Sequence, residues 1–358
     1  MNRNFSELIN FWKGKKVFVT GHTGFKGSWL VIFLKMLKAD IIGYALKPEK
    51  NSLFNKARCK KLLKKNIYGD IKNYDSLRQN INRYKPEIIF HLAAQPLVSE
   101  SYKKPILTFK TNAVGTANLL DIIKKNTKIK SVVIVTTDKV YQSSKEKKIF
   151  EENDNLGGKD PYSISKVSAE LITRSYIDTI LNKKIKNKVS TARSGNVIGG
   201  GDYSKNRLLP DIIKSINNKK TLTIRNPNNI RPWQHVIEPT FGYIKLAKML
   251  YYFKGYEKNP AWNFGPEKKN FVTVIKIVEY FKKNTKKLKV KVKKTNRFYE
   301  TKILKLNSNK SKKKLGWKPK WDLIQSLKKV NEWNNLYNKR IDPNKICQDQ
   351  INDYLGLK

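Results

Sequence analysis

Apolar runs alternate with amphipathic stretches over the first half of the chain. The runs typical of buried strands read "KKVFVT", "DIIGYAL", "PEIIFHLAA", "IKSVVIVTTD" and "KVSTARSGNVIG". Between them, apolar residues recur at helical spacing over residues 28–37, 74–84, 111–126 and 162–182. This alternation predicts an α/β fold, in which a doubly wound parallel sheet carries helices on both faces.

The alternation breaks into shorter pieces beyond residue 199. These include "LPDIIKSI", "LTIRN", "EPTFGYIKLAKML", "AWNFGP" and "VTVIKIVEYFKK". We therefore predict a sheet domain over residues 1–198 and a smaller C-terminal substrate-binding lobe that takes up most of residues 199–358. A return of the chain from the lobe to the sheet stays open.

The chain is strongly basic. Its 358 residues include 75 Lys and Arg against 28 Asp and Glu, which gives a formal net charge of +47. Such a charge raises the hypothesis of a nucleic-acid partner. The lysines are spread over nearly every polar segment, however, and we find neither a recognition helix nor a basic face with interleaved aromatic residues. We therefore expect a lysine-rich solvated surface that attracts polyphosphates, and no nucleic-acid partner.

The cysteines and histidines indicate neither disulfides nor a metal site. Cys59 and Cys347 lie far apart and form no CxxC pair, which favours a reducing compartment. His22, His91 and His235 lie on separate segments without metal-ligand spacing. The N-terminal stretch has no apolar signal region, and no later apolar run is long enough to span a membrane. We therefore expect a cytoplasmic protein without metal or membrane span.

A glycine-rich turn follows the first strand run, in "VFVTGHTGFKGSWL". Gly21, Gly24 and Gly27 stand three residues apart, just before a predicted helix. Glycines at such a place let the backbone approach a pyrophosphate, and the helix N-terminus supplies free N–H groups. The spacing is GxxGxxG, which differs from the GxGxxG of the usual Rossmann fingerprint. We interpret the turn as the phosphate cradle of a Rossmann-like dinucleotide site.

A second group of residues points to acid–base chemistry. The fourth strand run ends in "TTDKVY", at the sheet edge where open α/β folds bind ligands. Tyr162 and Lys166 then lie one helical turn apart, so that both side chains share a face. Three other tyrosines show the same YxxxK spacing, but only Tyr162 opens a helix, directly after Asp160-Pro161. A neighbouring ammonium favours the phenolate, which can take a proton from an alcohol as hydride leaves its carbon.

These motifs resemble the extended short-chain dehydrogenase/reductases. The shared residues are the glycine turn, Asp70 in "YGDI", "HLAAQ", "TTDK" and YxxxK. The stretches "FWKGKKVFVTGHTGFKGSWL", "HLAAQPLV", "ARSGNVIGGGD", "IRPWQHVIEP" and "WNFGP" are similar to the CDP-glucose 4,6-dehydratase branch of that family. This resemblance implies an NAD-dependent dehydratase (a hydro-lyase) that turns CDP-glucose into CDP-4-keto-6-deoxyglucose, for deoxysugar biosynthesis. It also implies a homodimer formed through paired long helices.

The resemblance further implies a division of catalytic roles. Tyr162, held by Lys166, would take the proton of the 4-hydroxyl while hydride passes from C4 to NAD. The resulting ketone acidifies the C5 proton, elimination of water follows, and hydride returns to C6. Asp138 would protonate the leaving hydroxyl, and Thr137 would lie near the reacting sugar. Lys139 stands where the dTDP-glucose branch has a glutamate, so it is the candidate base at C5.

The same resemblance assigns binding residues. Those implied for the cofactor are Gly21, Gly24, Phe25, Gly27, Asp70, Ile71, Ala93 and Asn112, together with Tyr162 and Lys166. Those implied for the nucleotide sugar are Gln95, Asn196, Arg207 and Arg231. Arg231 suits a phosphate because a guanidinium binds its oxygens in a bidentate manner. Trp233 and His235 are interpreted as packing residues of the second lobe.

One position departs from the usual pattern of NAD enzymes. An acidic residue commonly ends the second strand and binds the adenosine ribose. Here that segment reads "IIGYALKPEK", with Lys47 where the acid would stand. A lysine there could accept the 2′-phosphate of NADP, so NAD rests on the family resemblance alone.

Two alternative functions stay open from the sequence. The first is a dehydratase or epimerase that acts on another nucleotide sugar, since the generic motifs are common to both. The second is a nucleic-acid-binding protein on a Rossmann-like scaffold, which only the net charge suggests. Turnover of CDP-glucose distinguishes the CDP-glucose dehydratase from the first alternative. Salt-dependent binding to duplex DNA tests the second.

Overall fold

A computed structural model gives the fold of residues 3–142, 149–255, 257–285, 288–293, 301 and 303–357. The strands are β1 Lys16–Thr20, β2 Asp40–Ala45, β3 Lys65–Tyr68, β4 Ile88–His91, β5 Ser131–Val135, β6 Val189–Ser194, β7 Val197–Ile198, β8 Leu222–Ile224, β9 Ile230–Pro232, β10 Gln234–His235, β11 Ala261–Phe264, β12 Phe271–Thr273 and β13 Val290–Val292. The helices are α1 Arg3–Trp12, α2 Phe25–Met36, α3 Leu53–Lys56, α4 Tyr74–Tyr84, α5 Val98–Lys103, α6 Pro105–Phe109, α7 Gly115–Ile123, α8 Pro161–Ser175, α9 Leu208–Asn217, α10 Ile237–Tyr252, α11 Val274–Asn284, α12 Asn309–Leu315, α13 Leu323–Asn338 and α14 Pro343–Leu355.

The central sheet of the described residues has seven parallel strands in the order β11-β6-β5-β4-β1-β2-β3. The order reverses direction at β1, next to β4. Such a switch point leaves a crevice at the carboxyl ends of the strands, where doubly wound sheets bind ligands. The predicted Rossmann-like α/β fold is therefore confirmed.

The strands of the sheet other than β3 are buried on both faces, as their apolar runs require. Along β1, Val17 and Val19 face one apolar cluster, and Phe18 faces the other. The first cluster packs under α1, α2, α10 and α14, and the second packs under α4 and α7. Side chains of a strand alternate between the faces of a sheet, so a continuous apolar run supplies both layers at once.

The second lobe has a separate apolar cluster. Its buried residues come from α9, β8, α11 and α13, and they include Ile212, Leu222 and Phe281. Short strand pairs hold this part together: β13 pairs with β8, β12 with β9, and β10 with β7. Residues of α9 and β8 line one cavity together with residues at the carboxyl ends of the sheet strands.

Two strands of the sheet differ from our expectation. The segment "KNIY" forms β3, which the pattern did not predict, because an edge strand that is only half-buried lacks an apolar run. The segment "AWNF" was assigned to the lobe, but it forms β11 and pairs in parallel with β6. The chain thus returns to the sheet after entering the lobe, whereas the domain boundary at residue 198 stays a prediction.

Candidate active site

A cavity of about 700 Å³ opens at the carboxyl ends of the sheet strands and extends to the second lobe. Sixteen of the sequence-predicted site residues line it: Gly21, Gly24, Phe25, Gly27, Asp70, Ile71, Ala93, Gln95, Thr137, Asp138, Lys139, Tyr162, Lys166, Asn196, Arg207 and Arg231. The remaining one, Asn112, is buried behind the wall. The fold therefore brings distant segments of the chain to one place.

The glycine turn lies between β1 and α2, with a different constraint at each glycine. Gly21 has a φ of +73°, and a Cβ there would lie 2.5 Å from the backbone N of Ala93. A Cβ on Gly27 would lie 2.3 Å from the carbonyl oxygen of Gly21. Gly24 is the N-cap of α2, and no side chain caps the helix. The turn thus holds α2 tightly against β1 and presents an uncapped helix N-terminus to the cavity.

Thr137 and Asp138 begin a short 3-10 turn directly after β5. The Thr137 hydroxyl donates to Asp138 Oδ1 at 3.1 Å and accepts from the backbone N–H of Lys139 at 3.4 Å. The other carboxyl oxygen of Asp138, Oδ2, is buried without a hydrogen-bond partner among the described residues. Burial raises the pKa of Asp138, while the charges of Lys139 and Arg231 oppose the rise. This environment favours the protonated acid.

Tyr162 and Lys166 lie in the first turns of α8. Asp160 caps this helix by accepting from the backbone N–H of Ser163 at 2.9 Å, and Pro161 occupies its first position. Pro and an N-cap aspartate are common helix-start signals, which explains why the helix begins there. The cap thereby fixes the first turn, which aims both side chains at the cavity.

The pKa of Tyr162 differs in direction from our expectation. Burial raises it to about 12, although a hydrogen bond to Thr137 and the charge of Arg207 oppose the rise. Burial also lowers the pKa of Lys166 to about 8, while Glu170 opposes that change. Lys166 Nζ donates to the carbonyl oxygen of Val135 at 3.2 Å. The desolvation of both groups therefore outweighs the stabilisation of the phenolate that we expected from the lysine.

Asn112 supports the site from behind. It lies in a π-helical turn, Lys110–Val114, and such turns are frequent at functional sites. Its side chain accepts from the backbone N–H of Gln95 at 2.8 Å and donates to the Ser165 hydroxyl at 2.8 Å. Asn112 therefore links the loop after β4 to the helix that carries Tyr162.

The predicted substrate residues line the cavity from both parts of the chain: Gln95 and Asn196 follow sheet strands, and Arg207 and Arg231 lie beyond residue 199. Arg231 is buried, and its guanidinium donates to the carbonyl oxygen of Ile230 at 2.9 Å. Arg207 forms an ion pair with Asp202 at 3.3 Å. The side chain of Gln95 is bonded within its own region, to Thr108 at 2.9 Å and to the backbone N–H of Leu97 at 2.6 Å. Their roles toward a ligand stay predictions.

The opposite end of the cavity lies at β2 and β3. The Asp70 side chain accepts from the backbone N–H of Lys72 at 2.9 Å, and its backbone carbonyl accepts from the Tyr44 hydroxyl at 3.1 Å. Leu46, which follows β2, is exposed, and its carbonyl accepts from the Thr23 hydroxyl at 3.0 Å. The cavity wall at the end of β2 therefore carries no acidic side chain among the described residues.

Sequence reasoning missed Lys26, which lies inside the glycine turn. Its Nζ donates to the Ser194 hydroxyl at 2.9 Å and to the Tyr243 hydroxyl at 3.2 Å. Burial lowers its pKa to about 7, with a further lowering from Arg207 and Lys166. A charged residue between two glycines of a phosphate-type turn was the available signal, but one more lysine does not stand out in so basic a chain.

Sequence reasoning also missed a buried ion pair beside the site. Arg193 Nε lies 2.9 Å from Glu170 Oε1, and both side chains are about 4% exposed. The hydroxyls of Thr136 and Thr191 donate to the same carboxylate at 2.5 and 2.6 Å. The only sequence feature that could have pointed to this ion pair is the position of Glu170, one helical turn after Lys166.

The described residues contain no group of three or more His, Cys, Asp or Glu side chains that could hold a metal ion. Cys59 and Cys347 are buried and free. None of the helices in the described ranges combines the length and apolar character needed to cross a bilayer.

Comparison with known families agrees with this geometry. A family model described as GDP-mannose 4,6 dehydratase matches residues 18–330. The chain therefore belongs to the GDP-mannose 4,6 dehydratase family, within the extended short-chain dehydrogenase/reductase class. The resemblance inferred from the motifs is confirmed.

Individual relatives fall within the same class. The chain is 42% identical over 356 residues to CDP-glucose 4,6-dehydratase of Salmonella typhimurium, covering 97% of this chain and 98% of that protein. It is 25% identical to UDP-glucose 4-epimerase of Pisum sativum, over 89% of this chain and 95% of that protein. A solved dTDP-glucose 4,6-dehydratase of Bacillus anthracis in complex with NAD shares the fold, with a TM-score of 0.76, 24% identity and coverage of 92% and 100%.

Proposed function

We propose that this protein is an NAD-dependent hydro-lyase that converts CDP-glucose to CDP-4-keto-6-deoxyglucose, a step of deoxysugar biosynthesis. The observation that carries the proposal is the cluster of Asp138, Lys139, Tyr162 and Lys166 in one cavity beside an uncapped helix N-terminus. The 42% identity to a CDP-glucose 4,6-dehydratase over almost the whole chain supports the choice of substrate.

The residues at the sheet side of the cavity fit a dinucleotide. The uncapped start of α2 would hold the pyrophosphate through backbone N–H groups, next to Gly24 and Phe25. Asp70 and Ile71, at the end of β3, would meet the adenine, and Ala93 lies against the turn. The missing acid at the end of β2 leaves the choice of NAD over NADP to the family resemblance. When bound, NAD would accept hydride from C4 of the sugar and return it to C6.

The residues at the lobe side would hold the nucleotide sugar. Arg207 and Arg231 would face its two phosphates, since guanidinium groups match phosphate oxygens geometrically. Asn196 and Gln95 also line the cavity. The cations of the cavity would attract a dianionic diphosphate before any specific contact forms.

The catalytic residues would then act in sequence. Tyr162, in its phenolate form, would take the proton of the sugar 4-hydroxyl as the C4–H bond breaks, with Lys166 beside it. After oxidation the C5 proton is acidic, and Lys139, in its neutral form, would accept it and return it to C5 when hydride reaches C6. Asp138, whose raised pKa favours the protonated form, would donate a proton to the departing 6-hydroxyl, so that water leaves in place of hydroxide.

Incubation with CDP-glucose and NAD tests this function. We expect a product with a 4-keto group and a 6-methyl group, and no net change in NADH. Faster dehydration of dTDP-glucose or GDP-linked sugars under the same condition would assign the chain to a branch of the family with another nucleotide-sugar substrate. A 4-epimerised sugar as product would favour the epimerase alternative, which shares the Tyr–Lys pair.

We also propose a cytoplasmic homodimer. Apolar side chains are exposed on α6 and on one side of α8, among them Ile106, Ile164 and Leu171. Two buried free cysteines fit a reducing compartment. Light scattering should give twice the monomer mass, and Leu171→Glu should shift it to the monomer. An unchanged mass in that variant would place the contact elsewhere.

A further inference from the structure

The cavity continues past the catalytic cluster into the C-terminal lobe, where α9 and β8 form its wall. Leu209, Leu222 and Ile224 line the cavity and belong to the apolar cluster of the lobe. Polar side chains of Asp211 and Arg225 line the same stretch. An apolar surface with a few polar groups at its border suits a flat heteroaromatic base, whose faces are apolar and whose edge carries donors and acceptors.

Asp211 differs from the other carboxylates of this cavity. The aspartates that line it within the described ranges are Asp70, Asp138, Asp202 and Asp211. Two of these form ion pairs with neighbouring cations, and Asp138 belongs to the catalytic cluster. The Asp211 carboxylate has no hydrogen bond or ion pair with any other described residue. It is the carboxylate that neither the fold nor the proposed chemistry uses.

The surroundings of Asp211 pair an acceptor with a donor. Burial raises the pKa of its carboxyl group, and the positive charges of Arg225 and Lys214 oppose that rise. Arg225 lies at the end of β8 and lines the cavity together with Asp211. A carboxylate acceptor and a guanidinium donor therefore line the same part of the cavity.

The pyrimidine bases differ at the edge that such a pair would read. Cytosine carries an amino group, a donor, where uracil and thymine carry a carbonyl oxygen, an acceptor. A carboxylate accepts from the amino group but repels a carbonyl oxygen, since both are acceptors. A guanidinium has donors only, which suits the ring nitrogen and the carbonyl oxygen of cytosine beside that amino group.

We propose that Asp211 selects a cytosine base by accepting a hydrogen bond from its exocyclic amino group, while Arg225 donates to the neighbouring ring acceptors. This inference rests on the proposed function, because it assigns the base contacts of the same nucleotide-sugar site. It places base selection on the lobe, remote from the residues that act on the sugar.

The test exchanges the acceptor for an amide of the same size. Asp211→Asn should lower the ratio of kcat/KM for CDP-glucose to that for UDP-glucose by about 10-fold or more. Calorimetry with CDP and UDP alone, without turnover, should show the same loss of preference. Asp75→Asn makes the same chemical change on an exposed acid of α4 and should alter neither ratio. Asp211→Ser serves as a second variant, and the melting temperature of each variant is compared with that of the parent protein.

The outcomes separate this inference from the proposed function. If the parent protein prefers CDP-glucose and both Asp211 variants keep that preference while folded, the inference is wrong and the function stands. If the parent protein dehydrates no CDP-linked sugar, the function itself fails. If both variants lose CDP and UDP binding equally, Asp211 supports the shape of the site and does not select the base, which also overturns the inference.

Discussion

Two buried polar groups lie side by side at the carboxyl edge of the sheet, and they are built in opposite ways. In the first, the Glu170 carboxylate accepts from Thr136, from Thr191 and twice from Arg193, at 2.5–3.1 Å. Burial raises the pKa of Glu170, but the Arg193 charge and these bonds more than offset it, so the pKa is lowered. Each carboxylate oxygen of Glu170 therefore accepts two hydrogen bonds from the protein.

The second group is the catalytic cluster. Asp138 Oδ2 is buried without a partner among the described residues, and burial raises the pKa of that carboxyl group. The Tyr162 phenol also has a raised pKa, of about 12, and Lys166 has a lowered pKa, of about 8. In each of these groups, burial shifts the pKa toward the neutral form, and this is the desolvation that Glu170 overcomes.

The two groups show how a buried polar group with a structural role differs from one with a catalytic role in this fold. A buried charge whose bonds are all satisfied stabilises its surroundings and has no capacity for a ligand. A buried group without partners lacks that stabilisation and can form bonds with a substrate. The contrast leads to four expectations, which differ in the size of the effect.

Tyr162→Phe should produce the largest effect. It removes the proton acceptor for C4 oxidation, so turnover should fall by about 10²–10⁴-fold. Binding of CDP-glucose should change little, because the phenol is one contact among many. Steady-state kinetics and calorimetry measure the two quantities. Near-normal turnover in this variant would remove Tyr162 from the mechanism.

Asp138→Asn and Lys139→Met should slow the elimination by about 10²–10³-fold and leave C4 oxidation possible. A single-turnover mixture should then accumulate NADH absorbance or 4-keto-glucose before any 6-deoxy product. Lys139→Glu restores the acidic residue of the dTDP-glucose branch and should retain part of the activity. Equal loss of oxidation and elimination in both single variants would assign the two residues to binding or folding.

Glu170→Gln should act on stability. It removes the charge that balances Arg193, so we expect the free energy of unfolding to fall by about 2–3 kcal/mol. The Glu170 charge also raises the pKa of Lys166, so the pH profile of turnover per folded molecule should shift to lower pH in the variant. Thermal melting and kinetics under folded conditions check both expectations. An unchanged free energy of unfolding would contradict the supporting role of Glu170.

Lys26→Met should have a smaller effect, and one that depends on pH. The pKa of Lys26 is lowered from 10.5 to about 7 in the folded chain, so the unfolded state binds more protons between those values. Stability of the parent protein should therefore rise with pH across that window. The variant should be more stable by about 1–2 kcal/mol at pH 7 and below, after the loss of two hydrogen bonds. This gain should shrink as the pH approaches 10, and a constant gain would contradict the buried-ammonium explanation.

Most strands and helices of the fold were predictable because short sequence patterns identify them. Continuous apolar runs identified the inner strands such as β5, since a strand buried on both faces needs apolar residues at every position. The edge strand β3 has half-buried and exposed positions, so its pattern carries no such signal. The pairing of β11 with β6 depends on a long-range return of the chain that no local pattern encodes.

The candidate site was predictable only in part, for a related reason. Gly21 and Tyr162 stand out because a turn and a helix start restrict which residues can occupy them. Lys26 and Glu170 owe their properties to burial by distant segments, which desolvates one and pairs the other with Arg193. For the same reason, the predicted lowering of the Tyr162 pKa was wrong. The sequence shows the neighbouring lysine, but it does not show the burial that raises the pKa.

The most direct measurement follows a label through the whole reaction. CDP-glucose carrying deuterium at C4 is incubated with the protein and NAD, and the product is analysed by mass spectrometry and NMR. We expect a 4-keto-6-deoxy sugar that carries the deuterium at C6, because the hydride removed beside Tyr162 returns within the same site. A product without deuterium at C6, or a sugar that keeps the label at C4, would rule out an internal hydride transfer from C4 to C6.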